Sequence, residues 1–320
     1  MMEKKATGSH FNKDVSSSLS REHQNLKFGE APFNILREFL TNLNDTNIHN
    51  LKNLSAFCGN FKDRRLVECV FLICDELRLD PLAGYQAIEI LERFMTKHLE
   101  DLFCIPIPAD EGQQGNIGDS VFIKLSKKFS LLVFSCIQLA SKLTLHCNVI
   151  DNNTALKFLR SMGHSYSKET LLESELLILQ TLNFCISFPN PLMYVETLLE
   201  VLGYNDVTVP ILQLYSLCRH VLQFAYLQRK SLYHSLLVSA TDCPSPSEEQ
   251  RMEFAAVTED CMLLSVGVIA AGAFILNFKT WEQVVDELRY ITGISAKSIM
   301  EFAYILLSHI VKNETPVKSF

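Results

Sequence analysis

The stretch CMLLSVGVIAAGAFILNF, residues 261–278, carries no charged side chain and is apolar on every side of a helix. Such a helix has two stable settings, the interior of a bundle or a membrane. At roughly 18 residues it sits close to the length of a spanning segment. Yet it begins directly after Glu259 and Asp260, with neither flanking basic residues nor an aromatic belt. Gly267, Ala270, Ala271, Gly272 and Ala273 would let other helices approach closely. The expectation is the central helix of a globular bundle, with no membrane partner.

A second apolar run, FSLLVFSCIQLASKL at 129–143, holds the same place in the first half of the chain. Around both runs, apolar residues recur at helical spacing. PFNILREFLTNL aligns Phe33, Ile35, Leu36, Phe39, Leu40 and Leu43, with Pro32 suited to a helix start. DPLAGYQAIEILERFMTKHL opens on Asp80 as N-cap and Pro81 at the first helical position. SKETLLESELLILQTLNF offers Ser167 or Thr170 as its cap. The second half supplies PLMYVETLLEVLGY, ending at Gly203, then PILQLYSLCRHVLQFAYLQ, the central run, WEQVVDELRYITG and SAKSIMEFAYILLSHIVK.

No alternating strand pattern appears. The fold class is therefore all-α, as two tandem five-helix bundles at residues 31–188 and 189–312, divided at the PNP of 189–191. Residues 1–30 are polar and serine-bearing, hence expected to be mobile, and 313–320 form a tail. Turn-rich segments near 100–121 and 231–253 are expected to be loops.

Composition excludes several functions. The net charge of −7 argues against general nucleic-acid binding, which needs a positive surface to displace counterions. Ten cysteines without a CxxC pair, mostly inside apolar runs, suit free thiols in a reducing compartment. No cationic, apolar leader opens the chain, so secretion is not expected. Neither a glycine-rich phosphate loop nor HExxH is present, and histidines and cysteines lack metal-ligand spacing. No catalytic, cofactor or metal site is expected.

Two charges stand out instead. Lys142 closes the apolar run on a narrow polar stripe with Ser135 and Gln138, where a lysine also suits the last carbonyls of a helix. Glu175 is less easily accommodated. It falls in the middle of a stripe of Leu171, Leu172, Ile178, Leu179 and Leu182, whereas Glu169 and Glu173 point to the polar side. An unpaired carboxylate in a dry setting costs several kcal/mol. Glu175 must therefore meet a cation, meet backbone N–H groups, or emerge where a partner docks.

LVECVFLICDELRLDPLAGYQAIEILERFM, LVFSCIQLASKL and YSKETLLESELLILQTLNF resemble the cyclin box, with LERF, the lysine of ASK, the glutamate of ESELLIL and the terminal LNF in the family's order. GVIAAGAFIL and the following Trp281 and ITG resemble the carboxy-terminal cyclin fold. The resemblance spans roughly residues 50–312. It implies a non-catalytic regulatory or scaffold protein. Its closer members imply a place in meiotic recombination, on nuclear chromosomes, promoting crossover maturation. The implied partners are a cyclin-dependent kinase and recombination factors, with Lys142 and Glu175 contacting the kinase.

The chain departs from that pattern in two places. Leu143, Thr144 and Leu145 follow the lysine where cyclins carry an aromatic and acidic residues. The first-helix patch that docks substrate motifs becomes Lys62, Asp63 and Cys69, and only Leu66 stays apolar. A lysine at the mouth of that groove would oppose basic motifs. The alternatives are a kinase-independent scaffold and, from another class, a transcription-type cyclin fold gripping DNA. The latter has only the clusters KLSKK at 124–128 and KDRR at 62–65 to work with.

Overall fold

A computed structural model describes residues 27–103, 116–144, 148–206 and 208–314. Every regular element among them is helical, as the periodicity predicts. The first half comprises α1 (Phe33–Lys52), α2 (Arg64–Glu76), α3 (Pro81–Phe103), α4 (Asn116–Leu143), α5 (Asn152–Ser161) and α6 (Lys168–Thr181). The second comprises α7 (Pro191–Asn205), α8 (Ile211–Leu227), α9 (Arg229–Thr241), α10 (Glu248–Glu253), α11 (Ala255–Thr258), α12 (Cys261–Leu276), α13 (Trp281–Thr292) and α14 (Ala296–Glu314).

Local chemistry sets many of the helix starts. The side chains of Asp63, Asp151, Ser167, Asn190, Ser247 and Asp260 each accept a backbone N–H of the first turn, where a helix has no donor partners of its own. Ser167, not Thr170, caps α6. Asp80 accepts from the Leu82 amide ahead of α3.

α12 is the centre of the second half, packed by α7, α8, α13 and α14. Every residue from Leu264 to Ala273 is buried. Gly267 permits this: a Cβ there would lie 2.3 Å from the Phe302 ring of α14. No helix among the described residues is long and apolar enough to cross a membrane. α4 plays the corresponding part in the first half, against α3 and α6, with Leu131 to Ala140 buried throughout.

Two expectations change, and a third falls mostly outside the described residues. The segment expected as a loop at 231–253 is largely helical, because Leu232, Tyr233, Leu236 and Leu237 of α9 pack into the core. The segment expected as a loop near 100–121 is helical to Phe103 and again from Asn116, and its middle lies outside the described residues. Of the expected mobile start at residues 1–30, residues 1–26 lie outside the described residues, and at its end the Gly29 amide, like that of Ala31, donates to Glu200 at 2.7 Å.

The halves share one continuous apolar core. Polar clasps cross the seam. Asn190 is fully buried: its amide nitrogen donates to Gln86 Oε1 at 3.1 Å while its oxygen caps α7. α1, although first in sequence, lies on α7 and touches α12. There Tyr194 OH donates to the Leu43 carbonyl at 2.9 Å, and Asn47 bonds Asp260 at 2.9 Å.

Candidate partner-binding site

The packing of α4 on α6 brings Lys142 and Glu175 together, with Nζ 2.5 Å from Oε1. A buried hydroxyl pair, Ser135 to Ser174 at 2.9 Å, fixes the register of the two helices nearby. The ion pair is lopsided: the Glu175 side chain is 8% exposed and that of Lys142 38%. Of the three settings open to Glu175, the fold realises an internal cation at the edge of the core.

The outer face of α6 is unusually apolar. Leu171 and Ile178 are buried as the stripe predicts, but Leu172 is exposed, as are Leu176 and Leu177. Leu172 and Leu176 are one turn apart, on the side of α6 next to Glu175. Leu143, beside Lys142, is also exposed. Beyond α6 the chain reverses through Asn183 (φ 50) and Phe184 (φ 60). The Phe184 amide donates to the Leu179 carbonyl at 2.7 Å, yet the residue is 65% exposed. Left-handed backbone costs a bulky residue about 1–2 kcal/mol, and here it turns an aromatic ring outward.

The residues at the family's substrate-docking positions lie otherwise than expected. Lys62 does not stand at a groove mouth. It is buried, its Nζ 3.0 Å from Glu89 and 3.1 Å from Glu259. Burial works against its charge, and these two carboxylates outweigh it, holding the lysine well above its ordinary range. Asp63 is the cap of α2, bonding the Arg65 amide at 2.9 Å. Cys69 and Leu66 pack partly buried against the core.

Spacing along the chain gave no sign of this cage. Arg229 Nη2 lies 2.7 Å from Glu259 and donates to the Thr258 carbonyl at 2.6 Å. Burial pushes the Glu259 carboxyl up, but Arg229 and Lys62 prevail and hold it at about 2. Tyr226 OH donates to Glu89 at 3.2 Å. Glu92 accepts the amides of Gly59 and Phe61, while burial raises its pKa. Glu89 and Glu92 sit three apart in YQAIEILERFM, but Gln86 and Arg93 share that stretch, so along the chain the pair reads as part of an ordinary polar stripe.

Comparison with known proteins matches the same region. The family model "Cyclin, N-terminal domain" covers residues 116–187, from α4 to beyond α6, and so contains both Lys142 and Glu175. Cyclin N-terminal domain-containing protein 1 of Mus musculus is 43% identical over 292 residues, 91% of this chain and 87% of that protein. The Homo sapiens protein of the same name is 43% identical over 293 residues, 91% of this chain and 88% of its own length. Identity at that level over nearly the whole length places this chain in the cyclin family, among the cyclin N-terminal domain-containing proteins.

Proposed function

We propose that the chain is a non-catalytic regulatory subunit of meiotic recombination that binds a cyclin-dependent kinase through α4 and α6 and promotes crossover maturation. The observation that carries the kinase contact is the Lys142–Glu175 pair beside exposed Leu143, Leu172 and Leu176. Exposed apolar side chains around an oriented charge pair are the makings of a protein interface. The leucines supply area removed from water, and the charges fix the register of the partner. The meiotic and nuclear setting rests on the family resemblance alone.

Kinase-independent scaffolding of recombination factors is the second reading. One observation favours it: Lys142 and Glu175 already satisfy each other, so neither requires a partner group. The departures at Leu143 and Thr144 point the same way.

Affinity purification of the full chain from meiotic cells, followed by mass spectrometry, tests for a stoichiometric kinase. The comparison is with Leu172→Asp/Leu176→Asp, whose side chains are exposed and leave the core alone, and with Lys142→Ala/Glu175→Ala. Kinase recovery should fall more than about tenfold in both, corresponding to about 1.4 kcal/mol. Kinase binding and crossover formation that both survive would leave scaffolding as the function.

A further inference from the structure

We propose that the buried cage around Lys62 is an interlock that couples the two halves of the molecule. Its members come from both sides of the seam. Lys62 lies just before α2 and Glu89 on α3, whereas Arg229 opens α9 and Glu259 lies between α11 and α12. Lys62 joins the halves with one carboxylate from each within 3.1 Å, and the Tyr226 hydroxyl of α8 donates to Glu89 of α3 across the same seam at 3.2 Å. Arg229 completes the second half's side by gripping both Glu259 and the Thr258 carbonyl, and its guanidinium lies 5.0 Å from the Tyr233 ring centre. On the first half's side, Glu92 holds the Gly59 and Phe61 amides, so the segment presenting Lys62 is itself tied down.

The apolar contacts of the seam are non-directional and tolerate sliding. Buried ion pairs tolerate neither sliding nor separation, because a displaced charge is left without a partner in a dry site. The cage therefore sets the mutual position of the halves, and any opening of the seam at Lys62 parts it from Glu259, which keeps Arg229, and parts Glu89 from the Tyr226 hydroxyl. This inference concerns the seam and stands independently of the kinase reading.

The single tryptophan, Trp281, lies on α13 and reports the second half by fluorescence, while amide exchange of the buried stretch 131–140 of α4 reports the first. In the full-length protein both probes should lose structure at one temperature. In Lys62→Met the two midpoints should separate by more than about 5 °C, and Lys62→Arg, which keeps the charge, should bring them back together. Should Lys62→Met fail to fold, Lys62→Met/Glu259→Gln removes one charge of each sign and should show the same separation. Coincident midpoints in the folded Lys62→Met or double variant, or separate midpoints already in the native chain, would overturn the interlock.

Discussion

Lys142 and Glu175 form an ion pair with one wet end and one dry end. Nζ and Oε1 are 2.5 Å apart, but the lysine side chain is 38% exposed and the glutamate 8%. The asymmetry makes the two halves of the pair unequal in stability. Lys142→Ala strands a buried carboxylate, whereas Glu175→Ala frees a lysine that can extend into water. We expect Lys142→Ala to lower stability by about 1–3 kcal/mol, less than the loss of a fully buried partner because solvent screens the pair. Glu175→Ala should lower it less, and the double variant should melt above Lys142→Ala. Equal melting temperatures for the two single variants would mean that Glu175 finds water once its partner is gone.

Glycines of α12 differ sharply in what surrounds them. A Cβ on Gly267 would lie 2.3 Å from Phe302 Cδ1, while on Gly272 the nearest atom is Cys218 Sγ at 3.1 Å. Alanine gains about 1 kcal/mol of helix propensity over glycine in either place. At Gly272 that gain should offset the tight contact, giving a change near zero. At Gly267 the Phe302 ring, itself buried, has nowhere to go, and overpacking of this kind typically costs about 1–3 kcal/mol. Urea denaturation should therefore rank Gly267→Ala well below Gly272→Ala, and the reverse order would contradict the packing of α14 on α12.

Those glycines also mark what was legible beforehand. A run without charge and rich in small residues suits a bundle interior or a membrane, and its start directly after Glu259 and Asp260, without basic flanks, pointed to the bundle. Asp80, Ser167 and Pro32 announce helix starts because capping is local chemistry. Glu175 was legible as an anomaly because its neighbours at three and four residues are apolar. α9 was not, since Ser231, His234, Ser235 and Ser239 interleave with Leu232, Tyr233, Leu236 and Leu237 and blur the stripe. The cage was illegible for a different reason. Lys62 meets Glu89 and Glu259 across 27 and 197 positions, and no local pattern encodes such a meeting.

Asn190 acts on both sides of the seam at once. Its oxygen accepts the Leu192 and Met193 amides at the start of α7, and its nitrogen donates to Gln86 on α3. Asn190→Ala removes the cap, worth about 0.5–2 kcal/mol, and leaves Gln86 Oε1 without that bond in a buried position. Asn190→Asp keeps the cap but sets a carboxylate against Gln86 Oε1. Both should destabilise, with amide exchange at the start of α7 accelerated in Asn190→Ala and protected in Asn190→Asp. Equal exchange in the two would show that capping contributes little there.

Acid should act on the fold through Glu259. Its carboxyl is held at about 2 in the folded chain against an ordinary value of 4.5, with Arg229 and Lys62 overcoming the opposing effect of burial. A depressed carboxylate pKa contributes stability that is complete above the unfolded value and is lost as pH falls toward the folded one. The loss should thus begin near pH 4.5 and continue toward pH 2. Glu92 works in the opposite sense: burial raises its pKa, so the folded chain binds that proton more tightly and acidification relieves a cost. Glu92→Gln should therefore steepen the acid decline, whereas Glu259→Gln should lower stability near neutrality and flatten the decline. Thermal midpoints of the native chain and both variants, measured from about pH 6 to about pH 3, decide the matter. Parallel curves for the native chain and Glu259→Gln would show that the acid sensitivity arises outside the cage.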